Sequence, residues 1–115
     1  MIEEAIKNFP KQFAWDPEIQ NKERWKQLES FILVGMGGSH LVGDILQAAV
    51  PGFNLSVHQD YGLPAWPLVV LKDTLVIASS YSGNTEETLS AFKAAISQQI
   101  PVVVISIGGK LLEMA

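Results

Sequence analysis

The 115-residue sequence has no cysteine, which excludes disulfides and thiolate metal sites and leaves the redox compartment open. It also has no basic run. Eight Lys and Arg stand singly against twelve Asp and Glu, for a net charge of -4. No stripe exists to follow a nucleic-acid backbone and no polybasic patch to hold a membrane, so neither is expected as a partner. Long hydrophobic runs are missing too: the apolar stretches are far too short to cross a bilayer. The opening "MIEEAIKNF" carries two acids where a secretory signal would carry bases before a long apolar core. These absences lead to the expectation of a soluble, cytoplasmic protein. What is present is a globular composition, 48% hydrophobic and 17% charged, in a length that suits one modest domain.

Ile2, Ile6, Phe9 and Phe13 recur at helical spacing, with Pro10 expected to kink or restart the helix. Residues 15–29, "WDPEIQNKERWKQLE", read as a polar helical approach segment packed outside the core. Four short apolar runs follow: "SFILVG", "LSVHQDY", "TLVIASS" and "PVVVISI". The first shows no alternation, as expected of a strand buried on both faces. Between them lie helical spacings at Leu41, Ile45 and Ala48 and at Leu89, Phe92 and Ile96, and the chain ends in the opening of another helix, "LLEMA". The alternation predicts an α/β fold, a doubly wound parallel sheet in three αβα layers. Such sheets normally have five or more strands, so the chain is expected to be a truncated piece of something longer.

Ligands of such sheets gather at the carboxyl ends of the strands, where three glycine-bearing loops fall. They are "GMGGS" after the first strand, "SSYSGNTEE" after the third and "GGK" after the fourth. Each opens a helix, whose free N–H groups and dipole favour an anion. Residues 79–88 hold six hydroxyl-bearing side chains, and a helix start needs only one. Ser39, Ser80, Ser82 and Thr85 therefore read as a cradle for a phosphate. Plain capping competes with this reading. Asn84 followed by Glu87 fits a capping box and Ser39 fits an N-cap, but capping leaves Ser80, Ser82 and Thr85 unexplained. A Walker loop fails because no Lys follows either serine-rich loop in register. A dinucleotide fingerprint has Gly35, Gly37 and Asp60 in place, yet His40 stands where the third glycine belongs.

"GMGGSHLVGDIL", "DYGLP", "SYSGNTEETL" and "GGKLLEMA" together resemble the sugar isomerase (SIS) domain, closest to the N-terminal SIS domain of bifunctional phosphoglucose/phosphomannose isomerases. The resemblance runs from about residue 31 to the end and touches "AIKNFPKQF". It implies a flavodoxin-like fold with a five-stranded parallel sheet, two such domains per protein and a homodimer. Residues 1–30 are then an N-terminal helical segment packing on the domain, and 31–115 a phosphosugar-binding domain incomplete at its C-terminus. Gly37, Gly38 and Ser39 would line the sugar end, and Ser80, Ser82 and Thr85 would hold the phosphate of a sugar 6-phosphate. The implied reaction interconverts glucose 6-phosphate or mannose 6-phosphate with fructose 6-phosphate. It runs through ring opening and a cis-enediol, with no metal or cofactor. The family's acid and base residues lie later in the chain, so no catalytic residue is assigned here, and this piece is expected to bind without catalysing. The alternative is a non-catalytic phosphosugar-sensing SIS domain of a regulator.

The remaining polar residues have plainer readings. Glu86 and Glu87 complement the dipole of a first helical turn. His40 and His58 have no visible partner, and His58 reads as strand packing. Asp44 reads as a solvated or capping acid and Lys110 as exposed. Trp15, Trp25 and Trp66 read as packing.

Overall fold

The four apolar runs pair into one parallel sheet in the computed structural model, which describes residues 2–24 and 27–115. The strands are β1 (Ser30–Val34), β2 (Leu55–His58), β3 (Thr74–Ser79) and β4 (Val102–Ile105), in the spatial order β2-β1-β3-β4. Register aligns Leu33 with Val57 and Ile77, and Ile77 with Val103. Side chains alternate along a strand, so these four share one face. Ile32, Val34, Val76 and Ala78 share the other.

The second face carries the core. Ile32, Val34 and Val76 pack with Leu71, Ala91, Ala95 and Ile100, while Ala78 packs with Phe92 and Leu111. Those partners come from α3 (Leu68–Lys72), α4 (Glu86–Ser97) and α5 (Gly109–Met114), with Ile100 in the turn before β4. On the first face lies α2 (Leu41–Ala49), whose one buried residue is Gly43. A Cβ there would stand 2.6 Å from Leu33 Cδ2 and 2.8 Å from Val57 Cγ2. Glycine therefore lets α2 lie directly on the sheet. Leu41 and Ile45, whose spacing announced the helix, are turned outward and exposed.

The doubly wound, three-layer arrangement expected from the sequence is present, and its strand order is the first part of the flavodoxin-like order. The sheet has four strands where the resemblance implied five. The helix α3 was not legible: "LVVL" carries β-branched residues that favour strands. It forms because the Pro67 carbonyl accepts the Val70 and Leu71 N–H groups at 3.0 and 3.1 Å.

At the N-terminus, α1 (Ile2–Asn8) gives way to a 3₁₀ helix, Phe9–Ala14, with Pro10 in its first turn, so the restart at proline is found. All residues from 2 to 24 are exposed. Within the described residues, the helical approach segment expected over 15–29 reduces to one 3₁₀ turn, Lys22–Arg24. Pro17 explains part of this, because it disfavours helical backbone at Asp16. Trp66 packs against the core as expected. Trp15 does not, being 73% exposed. Trp25 lies outside the described residues.

Candidate functional site

The strand order reverses between β1 and β3, and a crevice opens above such a switch point. The loops after these two strands flank it. In the first loop, Gly35 sits where a Cβ would lie 3.0 Å from the Ser39 backbone and 3.2 Å from the Ser79 carbonyl oxygen, a tight fit that a side chain would have to push open. Gly37 then adopts φ +56, and the chain winds into a 3₁₀ helix, Gly37–His40, that leads into α2. Met36 and His40 occupy the two N-cap positions, and neither makes a side-chain cap bond. Ser39 is thus not the N-cap that one reading gave it.

The second loop is knotted by its own hydroxyls. Ser80 is 1% exposed, and its Oγ accepts the Gly83 N–H at 3.1 Å and lies 3.0 Å from Thr85 Oγ1. Ser82 Oγ accepts the Asn84 N–H at 3.2 Å. The loop is then fastened to the one after β4. Leu111 N–H donates to the Gly83 carbonyl at 2.9 Å, Ile107 N–H to the Tyr81 carbonyl at 3.3 Å, and Lys110 N–H to Asn84 Oδ1 at 3.0 Å.

This clasp bears on two expectations. Asn84 does not cap α4: Thr85 holds the N-cap position without a side-chain cap bond, and the Asn84 amide serves α5 instead. In the "GGK" loop the Lys110 and Leu111 N–H groups at the start of α5 are already engaged within the protein, which leaves fewer donors there for an anion. The first turn of α4 keeps its donors uncapped beside Glu86 and Glu87.

A cleft of about 630 Å³ lies between the first loop and the ends of β3 and β4. Gly38, Ser39 and Val42 line one side, Ser79, Tyr81, Ile105, Ser106 and Ile107 the other, and Trp15 its rim. Its size suits a small ligand. The structure therefore brings Gly38 and Ser39 to one cleft, while Gly37, Ser80, Ser82 and Thr85 do not line it. Ser80 and Thr85 form a hydroxyl pair behind it. Sequence reasoning missed Ser79, Tyr81 and Ser106. Strand alternation was the available signal: with Ser80 turned inward, its two neighbours point the opposite way. A second groove, along α1 and Pro10, is lined by Ile2, Ala5, Ile6, Phe9 and Pro10 and offers no polar side chain to orient a ligand.

The ionisable groups near the site are paired differently from the sequence expectation. His40 Nδ1 lies 2.7 Å from Asp44 Oδ2, so both have a partner. His58 closes β2 with Nε2 3.4 Å from the Tyr61 carbonyl oxygen. Asp60, the ribose acid of a dinucleotide reading, accepts the Tyr61 N–H at 2.7 Å and so braces its own turn. The Tyr61 hydroxyl donates to Glu86 Oε2 at 3.1 Å. That bond, with the charges of Glu86 and Glu87, raises the tyrosine above its ordinary pKa. Among the described residues, no group of three or more His, Asp or Glu could hold a metal ion.

A doubly wound sheet with two glycine–serine loops at its switch point is the architecture of a flavodoxin-like SIS domain. No family model matches the chain. In sequence it is similar to bifunctional phosphoglucose/phosphomannose isomerases. That of Caldicellulosiruptor bescii is 39% identical over 97% of this chain and 34% of its own length. That of Aquifex aeolicus is 36% identical over 99% of this chain and 35% of its own. The chain thus spans about a third of the length of these relatives. In fold it is similar to the Vibrio vulnificus NanR protein, solved in complex with ManNAc-6P. The TM-score is 0.63 with 23% identity, over 98% of this chain and 46% of that one.

Proposed function

We propose that this chain is the phosphosugar-binding part of an aldose–ketose isomerase that interconverts glucose 6-phosphate or mannose 6-phosphate with fructose 6-phosphate. The observation that carries the proposal is the pair of glycine–serine loops at the β1/β3 switch point, in a chain similar along nearly its whole length to such isomerases. Gly38 and Ser39 face the sugar from the cleft wall, and Gly37, with its φ of +56, turns the loop that carries them. Ser82, Thr85 and the uncapped donors of α4 hold the phosphate, with Ser80 fixing the loop from behind. Isomerisation requires a base to take a proton from carbon. The cleft is lined by hydroxyls and apolar groups, with no carboxylate or imidazole among them. The chain binds, and turnover belongs to residues on the remainder of the protein.

Titration calorimetry with fructose 6-phosphate, beside a coupled turnover assay, tests this reading. The expected outcome is weak binding by the purified chain and no turnover. A hydrogen bond to a charged group is worth about 1.5–3 kcal/mol, so changing Ser82 and Thr85 together to alanine weakens binding more than about a hundredfold. Turnover above background, or undiminished binding by the double variant, overturns the proposal.

Two further parts belong to the same reading. The protein is cytoplasmic, where its charged substrates are held, and it is a homodimer in which a second copy covers the outward apolar residues Leu41 and Ile45 of α2. Sedimentation that finds Ile45→Glu as dimeric as the parent removes that interface. The second functional reading, a phosphosugar-sensing domain without catalysis, is favoured by the fold likeness to NanR with its ManNAc-6P. Turnover by the full-length protein separates the two.

A further inference from the structure

The loop after β2 touches α4 at its first turn, and neither the phosphate cradle nor the core explains why. Tyr61 donates its hydroxyl to Glu86 Oε2 at 3.1 Å, and the next residue, Gly62, donates its N–H to Ser90 Oγ at 3.0 Å. Glu86 and Ser90 stand four residues apart, so they share one flank of the helix. The carboxylate is therefore fastened along that flank, level with the loop.

Its position makes the fastening consequential. Glu86 follows Thr85 directly and opens α4, whose first donors have no side-chain cap. A carboxylate at a helix N-terminus is stabilised by the same N–H groups and the same dipole that would hold a phosphate. On a free, exposed stem it is a tethered rival for those donors. Resting on the cradle reading above, we infer that Tyr61 is a positioning residue that ties the Glu86 carboxylate to the flank of α4 and keeps the donors open for a phosphate. The acidic surroundings keep the tyrosine a donor: Glu86, Glu87 and Asp60 all raise its pKa, so the hydroxyl stays protonated through the neutral range. Asp60 braces the same turn from within, through its bond to the Tyr61 N–H at 2.7 Å.

The test is inorganic phosphate binding, by calorimetry or amide chemical shifts, to the parent chain, Tyr61→Phe, Glu86→Gln and the double variant. Releasing an exposed charge at a helix start is worth about a two- to fivefold change in affinity, so Tyr61→Phe is expected to weaken phosphate binding by that factor. In the Glu86→Gln background the same tyrosine change is expected to do nothing, because no rival charge remains to be released. A tyrosine that merely props the loop would weaken binding equally in both backgrounds, and that result overturns the inference. So does a Tyr61→Phe chain that binds phosphate as the parent does. A parent chain that binds no phosphate overturns the cradle itself, and this inference with it.

Discussion

A Cβ placed on Gly37 or Gly38 would meet no atom within 4 Å, whereas one placed on Gly83 would stand 1.7 Å from the Gly108 carbonyl oxygen. The two loops at the switch point share their residue types and differ in mechanics. The loop after β1 is braced at Gly35 and then runs free over the cleft. The loop after β3 is held by a buried serine inside and by the β4–α5 loop outside. Placing donors in advance is how a site avoids ordering costs on binding. On the proposed reading, the braced loop would grip the phosphate and the free one would meet the sugar.

The largest expected effect breaks the brace. In Gly83→Ala the φ of +75 is strained for alanine, and the new methyl lands on the backbone of the interlocked loop. Strain and overpacking each cost about 1–3 kcal/mol, so together they should destabilise the chain by roughly 2–6 kcal/mol in urea unfolding. Gly38→Ala, in the free loop, should stay within about 0.5 kcal/mol of the parent. Equal losses at the two glycines would erase the distinction between the loops.

The next effect separates two serines that look alike in the sequence. Ser80→Ala leaves the buried Gly83 N–H without its acceptor, which costs about 1–3 kcal/mol. Ser39→Ala, on the cleft wall, should change stability by less than about 0.5 kcal/mol and should lower affinity for a sugar phosphate. Melting curves taken with and without fructose 6-phosphate read both quantities. A Ser39→Ala chain that melts lower than Ser80→Ala would reverse the assignment.

The strands and their parallel order were legible because Val- and Ile-rich runs broken by helical spacings leave few other arrangements. The loop after β3 was legible because its hydroxyls exceed what capping needs. The division of labour within it was not. Ser80 and Ser82 are indistinguishable as letters, but Ser80 continues β3 by donating its N–H to the Ile105 carbonyl and is buried, whereas Ser82 lies out in the turn and is exposed. Asn84 read as a cap because the partner it takes, the Lys110 N–H, lies 26 residues away, beyond any local pattern. The contact face of α2 was not legible for a related reason. Leu41 and Ile45 announce the helix, but the close approach is made at Gly43, a residue with no hydrophobic signal.

The smallest expected effect asks how far the brace extends. Thr88 sits in the first turn of α4, just behind the knotted loop, and is fully buried, yet its Oγ1 has no hydrogen-bond partner among the described residues. If the network ends at Thr85, this hydroxyl is a buried polar group that stabilises nothing. Thr88→Val keeps the branched shape and removes the unsatisfied atom, so it should raise stability, by on the order of 1 kcal/mol. Helix propensity does not blur the comparison, because Val and Thr rank together. If instead the hydroxyl donates to a backbone carbonyl within the loop in solution, the same change would lower stability by a similar amount and would loosen the loop it was bonded to. Phosphate affinity distinguishes the two on the same samples. A variant that is more stable and binds phosphate unchanged confines the brace to residues 80–85 and the α5 start. One that is less stable and binds more weakly extends it into α4.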